Sequence, residues 1–137
     1  MKTPLLHKKD YRYERKYFIS GSDSYKVESI VNLHPAIFSE IFHKRTINNI
    51  YFDTSELNNY FDNIDGNSRR TKIRIRWYGE IFQNIKKPIL EIKIKNGLLG
   101  GKLRYELKPF KFDSNYCIEI FEDIINKSII PKYLKKK

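Results

Sequence analysis

The sequence predicts an α+β fold with a mainly antiparallel sheet, and three observations predict it. Charged and apolar residues alternate strictly in several short runs, the period of a half-buried strand. A glycine-rich turn, Asn96-Gly97-Leu98-Leu99-Gly100-Gly101, joins two of those runs as a hairpin would. Capped stretches with helical spacing interrupt the strands.

In chain order, residues 1–10 read as a basic N-terminal arm. Tyr11 to Ile19 alternates aromatic and charged residues and reads as the first strand. Ser20-Gly21-Ser22-Asp23 ends it and caps a helix from about Ser24 to Asn32, with Val27, Ile30 and Val31 as its apolar stripe. Thr46 to Phe52 reads as the second strand. Asp53-Thr54-Ser55 then offers caps for a short helix containing Leu57, Tyr60 and Phe61, and Asp65-Gly66-Asn67 is a turn. Three strands follow, about Thr71 to Tyr78, Ile89 to Lys95 and Lys102 to Leu107. A last amphipathic helix begins at Ser114, with Ile118, Phe121, Ile124 and Ile125 at helical spacing. The expected organisation is one domain over 11–130, followed by a basic tail over 131–137.

Composition narrows the partners. The 137 residues carry 27 Lys and Arg against 16 Asp and Glu, a formal net charge of +11. That excess favours a polyanion: nucleic acid, an anionic membrane surface or a free phosphate chain. With Cys117 as the single cysteine, neither an intramolecular disulfide nor a zinc cluster can form, which suits a reducing compartment. No apolar run follows Lys2 as in a leader, and no stretch approaches the roughly 20 apolar residues of a membrane-spanning helix. The expected location is the cytoplasm, with membrane contact through a partner.

Strand parity carries the functional reading. In Lys72-Ile73-Arg74-Ile75-Arg76-Trp77 the three cations share one face and the apolar residues the other. Glu91-Ile92-Lys93-Ile94-Lys95 and Lys102-Leu103-Arg104-Tyr105-Glu106-Leu107 repeat the pattern. In the first strand Arg12, Glu14 and Lys16 share a face. If these strands are neighbours, like charges lie about 4.5–5.5 Å apart and repel unless water or an anion separates them. A phosphate chain fits, because arginine forks bind phosphate oxygens bidentately. The carboxylates Glu14, Glu91 and Glu106 either pair with these cations or help hold a divalent metal bridging phosphates. The plainer alternative is a solvated sheet face, where Lys and Arg are ordinary residues.

Other residues carry less. Asp53 reads as a helix cap, Trp77 as core and Cys117 as a small buried hydrophobe in the last helix. His7, His34 and His43 lack metal-ligand spacing. The glycine turn lacks the Lys-Ser/Thr ending of a phosphate-binding loop.

The segments "RYERKYFI" from Arg12, "IYFDTSELNNY" from Ile50, "KIRIRWYG" from Lys72, "LEIKIK" from Leu90 and "GKLRYEL" from Gly101 resemble the VTC domain. That is the catalytic domain of the vacuolar transporter chaperone complex, in the CYTH or triphosphate tunnel metalloenzyme superfamily. The resemblance implies an antiparallel barrel around a basic tunnel that binds triphosphate or polyphosphate. In the polymerase of this family the terminal phosphoryl group of ATP passes to a polyphosphate chain, with a divalent metal (Mn or Mg). The family domain is roughly twice this length, so the resemblance implies a partial barrel, its N-terminal half, with flanking helices. Self-association or a partner chain would complete the tunnel.

By this resemblance Lys16, Arg74, Arg76, Lys93 and Lys102 take catalytic, phosphate-contacting positions. Arg12, Lys72, Lys95 and Arg104 share their faces and are candidate substrate-binding cations. Glu14 and Glu91 are the candidate metal ligands. Glu14 falls in the superfamily's first-strand E-x-E-x-K signature, where Arg12 replaces the first glutamate. Three functions stay open: a polyphosphate polymerase, a non-catalytic polyphosphate-binding module, and an RNA-binding domain. The last requires exposed aromatics beside the cations, whereas here most aromatics take the opposite face, so no specific nucleic acid is expected.

Overall fold

The computed structural model describes residues 11–15, 18–21, 23–115 and 118–135. The arm 1–10, Lys16, Cys117 and the last two residues of the basic tail lie outside that set. The chain divides into two compact units: Met1–Glu14 with Thr46–Lys137, and Arg15–Arg45.

The smaller unit holds α1 (Ser24–Asn32), with the bounds its capping residues predict. The Asp23 carboxylate accepts from the Lys26 amide at 2.7 Å and satisfies a first-turn donor. Val27 is half-buried, while Ile30 and Val31 are exposed. Arg45 lies over the Phe42 ring at 4.5 Å.

The larger unit is α+β and mainly antiparallel. Its five-stranded sheet contains β1 (Arg12–Tyr13), β2 (Ile47–Phe52), β3 (Arg69–Tyr78), β5 (Ile89–Asn96) and β6 (Leu99–Glu106), in the order β1-β6-β5-β3-β2. All of its pairs are antiparallel. The described strands make an open sheet; they do not close into a barrel. Two short strands that the sequence reading omits, β4 (Gln83–Ile85) and β7 (Phe110–Phe112), pair as a second sheet. The first strand is shorter than its alternation predicts, and β3 starts earlier, at Arg69.

The β5–β6 hairpin turns on two residues, Gly97 and Leu98, with Asn96 opposite Leu99. Gly97 has φ 60°, which glycine adopts without steric cost. Gly100 and Gly101, expected in the turn, belong to β6 instead.

The apolar parity of the sheet forms the core. Ile75, Trp77, Leu90 and Leu107 pack with Ile85 of β4, Ile130 and the helix α3 (Ile118–Lys127), which contributes Phe121 and Ile124. Each fully buried aliphatic or aromatic side chain contributes about 1.5–3 kcal/mol. Phe121 meets Phe52 edge to face at 5.6 Å. Trp77 is core, as predicted, and its indole N–H donates to the Glu80 carbonyl at 3.1 Å. Buried Ser128 donates to the Ile124 carbonyl at 2.6 Å and accepts from the Lys108 amide at 2.9 Å, tying the end of α3 to the chain after β6. The helix α2 (Asn58–Ile64) follows β2. Asp53 caps it from five residues ahead, accepting from the amides of Asn59 and Tyr60 at 2.9 Å each.

Candidate anion-binding site

The ladder registers show which side chains share the other face of this sheet. Lys72, Lys93 and Lys102 stand directly opposite one another on β3, β5 and β6. The next row on that face is Tyr51, Arg74, Glu91 and Arg104. Beyond it, Asn49 lies opposite Arg76. On the other side of the lysine row Arg70 faces Lys95, Lys95 faces Gly100, and Gly100 faces Arg12. Every candidate cation within the described residues therefore falls on one face. Lys16 lies outside them.

Glu91 is the centre of this face, on the middle strand of the sheet and only 2% exposed. Its Oε2 accepts from Arg74 twice, from Nε at 2.8 Å and Nη2 at 2.6 Å. Its Oε1 accepts from Arg104 Nε at 3.0 Å. Arg76 Nη1 and Lys102 Nζ each approach to 3.6 Å. Four cations thus surround one carboxylate. Burial alone would raise the Glu91 carboxyl pKa. Hydrogen bonds from Arg74 and the charges of Lys102, Arg74 and Arg76 overcome burial and hold it below the ordinary glutamate value. Lys102 is held below the ordinary lysine value by burial first, then by the nearby guanidiniums of Arg104, Arg74 and Arg76, against the pull of Glu91.

Two exposed β2 side chains extend the network. The Tyr51 hydroxyl accepts from Arg74 Nη1 at 2.9 Å, and Asn49 Oδ1 accepts from Arg76 Nε at 2.9 Å. Neither residue, nor Arg70, is among the site residues expected from the sequence. Parity within Ile47–Phe52 was the available signal for Asn49 and Tyr51.

Glu14 is placed differently. It lies at the sheet's edge, where its Oε1 accepts from Lys93 Nζ at 3.0 Å. Its other oxygen, Oε2, lies beside Gly100 of β6. Among the described residues no group of three or more His, Cys, Asp or Glu side chains converges. A divalent ion at Glu91 would meet four cations, and Glu14 already serves Lys93. This donor set does not fit a metal held by the described residues.

Beside the face, a cleft of about 290 Å³ is lined by Tyr51, Phe52, Asp53, Asn59, Tyr60 and Lys72 among others. Tyr51 and Lys72 belong to both. Asp53 is occupied with backbone amides, which hold its carboxyl below the ordinary aspartate value although desolvation pulls the other way. No helix of the described residues is long and apolar enough to cross a membrane.

No match was found among curated proteins or solved structures. The VTC domain family model matches residues 11–136, which takes in every strand of the cationic sheet. That family is associated with polyphosphate metabolism. By this match the chain belongs to the VTC domain family.

Proposed function

We propose that the cationic face binds a polyphosphate or triphosphate chain. The observation that carries this reading is the register: Lys72, Lys93 and Lys102 abut one another across three strands, beside a row of Arg74 and Arg104. Among the described residues Lys72 has no ion-pair partner. Amines at strand spacing, about 4.8 Å, gain from a flexible anion that places a negative charge beside each. A phosphate chain also accepts the free N–H groups of Arg104, whose side chain is 60% exposed.

In the finer version of this reading the bound triphosphate is ATP, and its terminal phosphoryl group passes to a polyphosphate chain. Such transfer depends chiefly on positioning and charge stabilisation. Arg74, Arg76, Lys93 and Lys102 supply both, with Lys16 added by resemblance, and the tyrosine-lined cleft accommodates the base. Magnesium or manganese would belong to the phosphate chain, not to the described carboxylates. A second copy or partner chain would add its strands along the outer edge of β2, which has no strand partner among the described residues.

The test is direct. The purified chain is incubated with ATP and Mn²⁺ and assayed for polyphosphate, and short polyphosphate is titrated against a bound single-stranded RNA. Product supports the polymerase. Displacement of RNA without product supports a non-catalytic binding module. Failure of polyphosphate to displace RNA contradicts the phosphate reading altogether.

A further inference from the structure

A buried carboxylate at the middle of an anion-binding face is unexpected, because its charge opposes the ligand. Glu91 is also in the most enclosed position on that face, 2% exposed and opposite arginines on both neighbouring strands. Its contacts divide those guanidiniums in a particular way. Arg74 uses Nε and Nη2 on Glu91 and Nη1 on Tyr51, so the whole group is fixed. Among the described residues Arg104 uses only Nε, the inner edge of its fork, while the side chain stays 60% exposed. Arg76 is held through Nε by Asn49 and faces Glu91 with Nη1. Long cationic side chains otherwise carry much rotamer freedom, and ordering each on binding opposes association.

We propose that Glu91 is a positioning residue: it binds the inner edges of Arg74 and Arg104, fixes their forks, and so strengthens phosphate-chain binding despite its own negative charge. The inference rests on the phosphate reading above and adds a sign to it. If Glu91 were only a charge on the face, removing it would tighten anion binding. Acting through the arginines, its removal loosens binding, because free cations repel one another and must be ordered by the ligand. It also loosens the geometric preference for phosphate, since a disordered cluster attracts any polyanion.

The experiment measures the affinity of the full chain for tripolyphosphate and for citrate, at fixed salt, by titration calorimetry. Glu91→Gln is compared with Glu80→Gln, which adds the same charge at an exposed position between β3 and β4. The expected result is at least about tenfold weaker tripolyphosphate binding for Glu91→Gln, with a reduced preference over citrate. Glu80→Gln is expected to bind as tightly as wild type or about twofold tighter. Tripolyphosphate binding by Glu91→Gln as tight as wild type, or tighter, overturns the proposal. Should Glu91→Gln fail to fold, Glu91→Asp decides: it keeps the charge but, one methylene shorter, draws the carboxylate back from Arg74 and Arg104. A several-fold loss of affinity with a native circular dichroism spectrum supports the positioning role, and an unchanged affinity overturns it. Wild-type chain that does not bind tripolyphosphate would overturn the phosphate reading itself, and this inference with it.

Discussion

The two faces of the five-stranded sheet are made from alternate residues of the same strands, yet they solve opposite problems. On one, Ile75, Leu90 and Trp77 bury against α3 and β4, where shape and area decide stability. On the other, Lys72, Arg74, Arg76, Lys93, Lys102 and Arg104 crowd together, and the buried Glu91 is what makes that crowding tolerable. The apolar face gains from every added contact. The cationic face is left with excess positive charge by its own register, and that excess is the feature an anion can use. The difference teaches that the apolar face serves stability alone, while on the cationic face Glu91 serves stability and ligand affinity together.

The largest effect should come from crossing that division. Glu91→Ala leaves four cations around an empty site and should cost about 3–5 kcal/mol in chemical denaturation, as for breaking a buried ion pair. Ile75→Ala, 0% exposed on the other face, should cost about 2–5 kcal/mol by opening a cavity. Below its melting transition, however, it should bind tripolyphosphate as wild type does; a parallel loss of affinity would break the comparison.

Titration with pH sharpens it next. Lys102 has a lowered pKa in the fold, so it is charged below that value and neutral above it. Affinity for tripolyphosphate should therefore begin to fall at lower pH than ordinary lysines allow, and Lys102→Arg should remove that early fall. Glu91 has the opposite sign. Its folded pKa is depressed, so its contribution to stability is complete above the ordinary glutamate value of 4.5 and is lost as pH drops through the folded value. Acid unfolding followed by fluorescence should show this component in the wild type and not in Glu91→Gln.

The smallest effect belongs to the rim. Glu14 and Lys93 are partly exposed, at 32% and 41%, and such pairs contribute about 0–1 kcal/mol. Glu14→Gln should barely move the melting temperature and should raise tripolyphosphate affinity about twofold by releasing Lys93. A tenfold loss would mean that Glu14 contacts the ligand through a bound cation.

Much of this division was legible in the sequence. Period-two alternation put Arg74 with Arg76 on one face of β3 and Lys102 with Arg104 on one face of β6; that these and Lys93 share a face across strands required the register. Capping residues fixed α1 and positioned Asp53 before α2. Strand ends were less legible: Arg69 and Arg70 continue β3 only because β5 is long enough to pair with them. The short β4 carries no alternation, and Phe110-Lys111-Phe112 of β7 alternates over only three residues, too few to read as a strand before its pairing with β4 is known. The role of Glu91 needed register. Placing the hairpin turn at Gly97 and Leu98 and counting back from Asn96 opposite Leu99 arrives at Glu91 opposite Arg104. The partner on the other side, Arg74, was hidden, because residues 79–88 separate β3 from β5 and no turn rule spans them.

Affinity depends on where the cations stand, not on net charge. One calorimetric comparison tests this: tripolyphosphate binding by Lys72→Gln/Lys102→Gln, against Lys86→Gln/Lys87→Gln, which removes two exposed lysines between β4 and β5. The first pair should lose at least about tenfold in affinity, since each charge-assisted contact is worth about 1.5–3 kcal/mol, while the second stays within about twofold of wild type. Equal losses from both pairs would contradict the cationic face as the binding site.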